Sequence, residues 1–238
     1  MAKKKLQRFA DLAKMPHVFQ TPDGLPGHWH SRVFHNRRPI TLELGCGRGD
    51  LTLALAIKLP QRNFIGVDLK GARLWNGAKQ AQLQGLANVA FLRIFIENIG
   101  EFFSPAETDE IWITFPDPYP AYSKRHKRLT SPRFLTLYQK ILKPGGRIHL
   151  KTDNEGLFRY TQTAVVQQGG VIHQAFVDLD AHPTADDRLF LPTRYEQTFR
   201  KKGAIIRYLC FSVPPFDQGA ERPWTRTTSM AVNAYGTH

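Results

Sequence analysis

The stretch ITLELGCGRGD, residues 40–50, decides the fold prediction because an apolar run passes directly into a loop with a glycine at every second position. The run ITLEL is typical of a buried strand, and Asp50 can cap a helix over the apolar residues that follow it. Glycines allow a backbone to turn tightly and to approach a ligand closely. The stretch therefore predicts a strand, a ligand-binding turn and a helix in succession.

Strand and helix patterns keep alternating after this stretch. The first five strands are predicted at 40–44, 63–68, 88–95, 110–115 and 147–152. The alternation predicts an α/β fold, with a seven-stranded, mostly parallel sheet that carries helices on both faces. Two late strands, 171–179 and 204–213, are expected to pair as an antiparallel hairpin. No helix is predicted in the insertion between them, residues 180–203.

Charge separates this chain from an average protein. Its 238 residues contain 33 Lys and Arg against 20 Asp and Glu, which gives a formal net charge of +13. Such an excess favours a polyanionic partner, with nucleic acid as the first choice. We expect a basic N-terminal extension over residues 1–39, one domain over 40–213 and a flexible tail over 214–238, because the tail lacks apolar periodicity.

Other totals exclude several classes of protein. No stretch approaches the roughly 20 apolar residues of a membrane span, and the N-terminus lacks the apolar region of a secretory signal. Cys46 and Cys210 show no metal-ligand spacing, so no metal site is predicted. Free thiols fit a reducing compartment, and we expect a cytoplasmic protein. The sequence leaves open whether the chain is a monomer or a homodimer.

The residues around the glycine loop (residues 45–49) indicate a positively charged nucleoside as ligand. Gly45 and Gly47 begin a G-x-G-x-G spacing, which differs from the G-x-G-x-x-G fingerprint that holds a pyrophosphate. Glu43 would be unfavourable beside a pyrophosphate but suits a cation. Asp68, at the end of the second strand, can accept hydrogen bonds from both ribose hydroxyls of an adenosine. Together these residues predict S-adenosylmethionine as cofactor and disfavour a nicotinamide-dependent dehydrogenase.

The fourth strand ends in a second unusual stretch, FPDPYPAYSKRHKRLT. Asp117 lies between two prolines that restrict the backbone on either side, which suits a group that orients a substrate. A basic loop (residues 123–130) follows at once, and its side chains can meet the phosphates of RNA. The cations of this loop that we expect to bind substrate are Lys124, Arg125, Lys127 and Arg128. We predict that Asp117 holds one base while the basic loop holds the strand that carries it.

With these motifs in place, the sequence resembles the bacterial tRNA (guanine-N7)-methyltransferase family. The resemblance covers about residues 7–211, and FPDP with its basic loop is far more specific than the glycine loop. The motifs that carry it are LELGCGRGD at 42–50, NFIGVDLKGARLW at 63–75, FPDP at 115–118, LKTDN at 150–154 and TRYE at 193–196. The resemblance implies a class I methyltransferase, Rossmann-like fold. It also implies methyl transfer from S-adenosylmethionine to N7 of the variable-loop guanine of tRNA, guanine 46.

The resemblance implies which residues contact the cofactor. The expected contacts are Glu43, Gly45, Gly47, Asp68, Phe95, Ile96 and Glu97. Phe95 follows the third strand at a position where the family commonly has Asp or Asn. We therefore expect Phe95 to stack on the adenine, while Glu97 or the backbone of Ile96 makes the polar contact.

The resemblance also implies roles on the substrate side. Asp117 is expected to be the catalytic acid. The expected tRNA contacts outside the basic loop are Asp153, Thr193, Arg194, Tyr195 and Glu196. Tyr119 stands where the family usually has tryptophan or glutamine. Ala121 stands where the family has a lysine, and we expect Lys124 to take that role.

Two alternatives stay open at this point. A methyltransferase that acts on another RNA or on a protein would have the same cofactor half, and only FPDP with the basic loop argues against it. A catalytically weakened tRNA-binding homologue would fit the departures at Phe95 and Ala121. Stabilisation by the methyl donor would separate the second alternative from an enzyme, because a bound ligand raises stability by mass action.

Overall fold

The structure is a computed structural model that describes residues 2–183 and 186–216. The described strands form one sheet: β1 (Val18–Phe19), β2 (Ile40–Leu44), β3 (Asn63–Val67), β4 (Val89–Leu92), β5 (Thr108–Thr114), β6 (Leu142–Thr152), β7 (Val171–Phe176) and β8 (Arg207–Ser212). Among these strands, β8 alone runs antiparallel to its neighbours, β6 and β7. The predicted α/β class with a mostly parallel sheet and a late antiparallel hairpin is confirmed.

The strand order opens a crevice between β2 and β5. The sheet is ordered β1-β4-β3-β2-β5-β6-β8-β7, so the chain leaves β2 towards one edge and returns to its other side at β5. In an open parallel sheet, connections that diverge in this way leave a ligand crevice at the carboxyl ends of the strands. The glycine loop follows β2 and Asp117 follows β5. Both predicted site segments therefore reach the same crevice.

Helices cover both faces of the sheet. The described α-helices are α1 (Ala2–Leu12), α2 (Asp50–Lys58), α3 (Gly71–Leu83), α4 (Pro132–Ile141), α5 (Glu155–Gln167) and α6 (Arg194–Arg200). In α4, proline occupies the first helical position after Ser131. Phe134 and Tyr138, four residues apart on one side of the helix, are buried in the main core. The predicted apolar face of this helix is confirmed.

The N-terminal segment adds an eighth strand to the seven that the sequence predicts. β1 pairs in parallel with β4 at the edge of the sheet. Further along the segment, Trp29 is fully buried and stacks on Phe103 with ring centroids 5.2 Å apart. Its indole N–H donates to the backbone carbonyl of Phe102 at 2.8 Å. The segment thus packs onto the domain that follows it, and a domain boundary at residue 39 stays a prediction.

Helix α6 corrects the prediction that the insertion at 180–203 contains no helix. Thr193 and Glu196 have the spacing of a capping box, and Thr193 Oγ1 accepts a hydrogen bond from the backbone N–H of Glu196 at 3.0 Å. The seven residues of α6 make only about two turns, too few for an apolar period to be recognised in the sequence. The capping pattern was the signal available in the sequence.

One face of the sheet carries a column of polar side chains. Side chains alternate along strands, and Glu43, Trp112 and His149 stand in register on neighbouring strands. Thr114 and Lys151 are in register one step further along the same face. These five side chains are all buried. Apolar residues of α2 and of the segment between β7 and β8 cover this face.

Three expectations concern the tail, membrane spans and the cysteines. The predicted flexible tail lies outside the described residues from position 217 onward. Within the described part of the chain, no helix combines the length and apolarity that crossing a bilayer requires. Cys46 and Cys210 are both free and buried.

Candidate active site

A cavity of about 450 Å³ lies above the carboxyl ends of β2 and β5. Most of its lining comes from three segments: the glycine loop, the end of β5 and one side of α6. A cavity of this size is in the usual range for small-molecule sites. A second cavity of about 520 Å³ lies near β1 and the end of α3, with His17, Phe19 and Gly85 in its lining. None of the predicted site residues lines the second cavity. We therefore take the first cavity as the candidate active site because of its side chains and not because of its volume.

The glycine loop has the backbone geometry of a ligand cradle. Gly45 and Gly47 adopt φ angles of 76° and 58°, a region that favours glycine over other residues. The N–H groups of Gly45 and Cys46 donate to the carbonyl of Val67 at 2.8 and 3.0 Å, which fixes the turn against β3. A Cβ atom added at Gly47 would meet no atom within 4 Å. The loop is therefore open towards the cavity at Gly47.

Glu43 is a buried acid at the floor of the cavity. Its carboxylate accepts hydrogen bonds from the backbone N–H and the hydroxyl of Thr52, and from the Thr114 hydroxyl at 3.1 Å. Burial raises the pKa of Glu43 from 4.5 to about 7, although the hydrogen bonds from Thr52 and Thr114 oppose this effect. A buried carboxyl without a cationic partner is a site that a positive ligand would stabilise.

Glu43 predicts a pH dependence of the free energy of unfolding. Because its folded pKa of about 7 exceeds the unfolded value of 4.5, its stabilising contribution is complete below about pH 4.5 and is lost as the pH rises towards 7. We expect a loss of about 1.4 kcal/mol per pH unit across this window. Urea denaturation at several pH values should show this slope in the natural chain and not in Glu43→Gln. Equal slopes in the two proteins would contradict the assignment.

Asp68 supports the glycine loop from the end of β3. Its carboxylate accepts hydrogen bonds from the backbone N–H of Gly47 at 2.9 Å and of Lys70 at 2.7 Å. One side chain thus ties the glycine loop to the start of α3. Each carboxylate oxygen retains a lone pair, so Asp68 can still accept hydrogen bonds from a bound ribose.

Asp117 stands on a strained turn. Phe115 and Tyr119, on either side of the P-D-P sequence, adopt positive φ angles of 49° and 40°. Such conformations are costly for residues other than glycine and are concentrated at functional sites. Arg128 holds the turn, since its guanidinium donates to the carbonyls of Pro118 and Tyr119, each at 2.9 Å. The exposed carboxylate of Asp117 is therefore presented from a stiff backbone.

The charges of Asp117 and Asp153 both act on the Tyr195 hydroxyl. Burial raises the pKa of the Tyr195 hydroxyl, and the charges of Asp153 and Asp117 add to this effect. The same hydroxyl donates to Asp153 Oδ2 at 3.4 Å. The Tyr195 ring lies 5.0 Å from that of Phe115 and stacks on that of Phe199 at 4.1 Å. The two acids thus adjoin an aromatic wall of the cavity.

The basic loop divides into exposed and inward cations. Lys124, Arg125 and Lys127 are exposed on a short helical turn. Arg125 lies over the ring of Tyr122, 3.5 Å from its centroid. Arg128 instead points inward, where it braces the turn after Asp117. Phosphate binding by Arg128 remains a prediction, but its observed contacts are with this turn.

Helix α6 brings most of the TRYE motif to the cavity. Thr193, Arg194 and Tyr195 line it, and the backbone N–H of Arg194 donates to Asp50 Oδ2 at 3.2 Å. Glu196 differs, because its side chain is 1% exposed and pairs with Lys151 at 2.7 Å. A substrate contact by Glu196 stays a prediction, and in this structure its carboxylate faces the sheet.

The predicted adenine segment lies apart from this lining. Phe95 is 58% exposed at the start of a short helical turn, Ile96–Glu101. Phe95, Ile96 and Glu97 follow β4, which lies beyond β3, the strand that Asp68 follows. None of the three lines the cavity. Their contact with an adenine stays a prediction.

Several residues in or beside the cavity were not predicted from the sequence. Thr52 and Thr114 fix Glu43, and their threonine side chains carried no distinguishing signal. Arg73, on α3, and Phe199, on α6, line the cavity. Phe199 was hidden because α6 itself was not predicted, whereas Arg73 lies in a motif that carries the family resemblance.

No group of three or more His, Cys, Asp or Glu side chains in the described ranges could hold a metal ion.

Comparisons with known proteins identify the family of this chain. The family described as "Putative methyltransferase" matches residues 37–208. A tRNA (guanine-N(7)-)-methyltransferase from Porphyromonas gingivalis is 47% identical over 83% of this chain and 85% of its own length. The enzyme of the same name from Bacteroides fragilis is 45% identical over 90% of this chain and 87% of its own length.

Solved structures with lower sequence identity share the fold. The 16S rRNA methyltransferase KamB superposes with a TM-score of 0.59 at 14% identity, over 77% of this chain and 91% of its own. A 16S rRNA (adenine(1408)-N(1))-methyltransferase from Catenulisporales acidiphilia, solved with its cosubstrate SAM, gives 0.53 at 16% identity, over 85% and 95%. These likenesses concern the fold alone. By its family match and by its identity to curated relatives over most of its length, the chain belongs to the tRNA (guanine-N(7)-)-methyltransferase family.

Proposed function

We propose that the chain transfers a methyl group from S-adenosylmethionine to N7 of a guanine in tRNA, and that the target is the variable-loop guanine, guanine 46. One observation carries the proposal: Glu43 and Gly47 line the same cavity as Phe115 and Tyr195, the neighbours of Asp117. A donor pocket and an acceptor pocket thus meet at one crevice. The names of the relatives supply the identity of the acceptor. A cytoplasmic location, with Cys46 and Cys210 as free thiols, is part of the proposal.

The residues of the glycine loop fit the proposed donor. S-adenosylmethionine supplies a methyl group on a positively charged sulfur. Glu43 offers a buried carboxyl that a cation would stabilise, and Gly47 leaves open space above the loop. Asp68 would hold the ribose with the lone pairs that its two backbone hydrogen bonds leave free. These groups bind and orient the donor and exclude water from the floor of the cavity.

The acceptor side needs alignment more than it needs a base. Guanine N7 is a hydrogen-bond acceptor with a lone pair and no proton. A direct displacement at the methyl carbon therefore requires no general base, and alignment of the reacting atoms can supply about 7–11 kcal/mol. Asp117 can accept hydrogen bonds from guanine N1–H and the N2 amino group. Its charge would also stabilise the positive charge that develops on the methylated ring.

The aromatic wall offers a surface for the target base. Tyr195 contacts the rings of both Phe115 and Phe199. RNA bases taken out of a stack are commonly held against aromatic side chains and read on their polar edges. In this arrangement the wall would hold the face of the guanine, while Asp117 reads its edge.

Salt should weaken tRNA binding steeply, and the basic loop should account for part of the slope. Each phosphate contact to single-stranded RNA contributes about 0.7 to the slope of log affinity against log salt concentration. We expect replacement of Lys124, Arg125 and Lys127 by alanine to reduce this slope by about 2. Fluorescence anisotropy with labelled tRNA over a salt series measures it. Arg159→Ala is the control, because Arg159 is exposed but already paired with Glu155 at 2.7 Å.

The decisive test of the proposal maps the modified nucleotide. Unmodified tRNA is incubated with the purified chain and labelled S-adenosylmethionine, and N7-methylguanine is located by cleavage at the modified position. We expect one modified guanine, in the variable loop, and no transfer to a tRNA in which that guanine is replaced by adenine. Methylation of rRNA, of protein or of another tRNA position would reject the proposed target.

A further inference from the structure

The segment between β7 and β8 is attached to the sheet by two buried ion clusters. This insert, which we define as residues 177–183 and 186–206, crosses the polar column of the sheet. Arg188 of the insert donates to Glu110 of β5 at 2.9 Å. Glu196 of the insert pairs with Lys151 of β6 at 2.7 Å. Glu110 and Lys151 of the sheet therefore find charged partners in the insert.

The Glu196 side chain does not make the capping hydrogen bond that its position in the capping box would allow. In a full capping box, the glutamate side chain reaches back to the first N–H of the cap. Here only the Thr193 half is made, and the Glu196 carboxylate turns to Lys151 and to Arg200, which donates to it at 2.9 Å. Both Glu196 and Lys151 are 1% exposed. Glu196 therefore serves a contact between distant segments.

Lys151 joins two points of the insert. Its ammonium group donates to Glu196 at 2.7 Å and to the backbone carbonyl of Leu189 at 2.6 Å. Burial lowers the pKa of Lys151, and the charge of Glu196 opposes this effect. Leu189 is itself fully buried against the same face of the sheet. Lys151 thus holds both α6, through Glu196, and the segment that precedes α6, through Leu189.

An adjacent side of α6 forms part of the active-site wall. Thr193, Tyr195 and Phe199 line the cavity. A helix of only seven residues is not stable by itself and takes its orientation from its tertiary contacts. A rotation of α6 about its axis would separate the Tyr195 hydroxyl from Asp153 and the Tyr195 ring from Phe115. The buried face of α6 therefore sets the position of its exposed face.

We propose that Lys151 and Glu196 are positioning residues for methyl transfer, which act through Thr193 and Tyr195 and do not touch the substrate. The proposal rests on the proposed function of the cavity. It assigns the last residue of the T-x-Y-E motif and the lysine of the LKTDN motif to one ion pair that holds α6 in position. It also replaces the expectation that Glu196 contacts tRNA.

A double-mutant cycle on kcat/KM for tRNA tests the proposal. The variants are Lys151→Met, Glu196→Gln and the double variant, and the natural chain is assayed beside them. We expect each single variant to lose about 100-fold, as a misplacement of about 1 Å would cause. The double variant should lose no more activity than either single variant, because either change already breaks the same ion pair. Glu196 as a direct substrate contact would instead leave Lys151→Met fully active, and that result overturns the proposal.

Two further outcomes would also overturn it. Losses that multiply in the double variant would mean that the two residues act independently. A double variant with full activity would mean that the pair serves stability alone, because replacing both partners of a buried ion pair commonly preserves stability. This last comparison needs only the double variant and the natural chain, so it holds even if the single variants fail to fold.

A second measurement reports on α6 without catalysis. Amide hydrogen exchange across residues 193–200 should be faster in the variants, while exchange in β2 and β3 stays unchanged. Unaltered protection of α6 in the double variant would overturn the proposal even if activity falls. This measurement does not depend on the substrate. If the natural chain fails to methylate tRNA, the proposed function fails, and exchange still tests the role of the pair in holding α6.

The matched control is an exposed ion pair that joins the same insert to α2. Lys58 of α2 and Asp187 pair at 2.5 Å, with 35% and 73% of their side chains exposed. Exposed pairs contribute little to stability or geometry. Lys58→Met and Asp187→Asn should therefore leave kcat/KM and the exchange of α6 unchanged. Equal losses in the control pair would mean that any contact of the insert matters, which would overturn the specific role of Lys151 and Glu196.

Discussion

Replacement of Asp117 by alanine is expected to reduce kcat by about 100- to 1,000-fold and to leave the affinity for the methyl donor within a factor of about 3. The carboxylate follows β5 on a turn that Phe115 and Tyr119 hold in strained conformations. Donor binding depends on other residues, because Glu43 and Asp68 belong to the ends of β2 and β3. Single-turnover methylation of tRNA and calorimetry with the donor measure the two quantities separately.

Asp117→Asn separates an orienting acceptor from a general base. An asparagine side chain keeps one carbonyl oxygen that can accept from the guanine edge, but it cannot take up a proton at neutral pH. We therefore expect Asp117→Asn to retain about 10-fold more activity than Asp117→Ala, a difference that one hydrogen bond can supply. If proton removal limited the reaction, the two variants would be equally inactive.

The control for this prediction is another exposed aspartate. Asp23 lies in the N-terminal segment and is exposed, as Asp117 is. Asp23→Ala should change neither kcat nor donor affinity, because removal of a surface charge alone has little effect. A rate for Asp117→Ala equal to that of the natural chain would remove Asp117 from the mechanism.

The sequence predicts those parts of the site that follow strands. Asp68 and Asp117 are recognised because a short apolar run stops just before each, and parallel strands end at one edge of the sheet. The glycine loop is recognised for the same reason. These features are local in the chain, so a local pattern is sufficient to find them.

The parts that the sequence did not predict depend on contacts between distant segments. Arg128 is an arginine in a basic loop and is therefore expected to bind phosphate. In the structure it donates instead to carbonyls about ten residues earlier in the chain. Lys151 and Glu196 meet across 45 positions of sequence. No period or spacing reports such a pairing. The position of α6 over the glycine loop therefore could not be predicted from the sequence. The same holds for the aromatic wall that α6 forms.

Gly77 gives the second large effect that we expect. Replacement of glycine by alanine inside a helix usually stabilises a protein by about 1 kcal/mol. At Gly77, in α3, we expect the opposite sign, with a loss of about 1–3 kcal/mol. A Cβ atom there would lie 2.5 Å from the backbone carbonyl of Arg48 and 3.0 Å from the Phe91 ring. One neighbour is backbone and the other is a fully buried ring, so neither can move away cheaply.

The same change should reach the donor site. Arg48 lies between Gly47 and Gly49, so displacement of its carbonyl moves the glycine loop as a whole. Gly49 has a φ of 73° and is itself packed against Phe91 and Gly77, which leaves the loop no room on that side. We expect Gly77→Ala to weaken donor binding about 100-fold, as a misplacement of about 1 Å at a preorganised site would. Calorimetry with the donor and urea denaturation measure the two losses.

Gly100→Ala is the matched control for this second effect. Gly100 also lies in a helical turn, is exposed, and would place its Cβ atom in open space. It should leave donor affinity unchanged and leave stability unchanged or slightly raised. If Gly77→Ala also raised the stability and kept donor affinity, α3 would have room to move away from the glycine loop. The close packing of helix and loop would then not be what fixes the donor site.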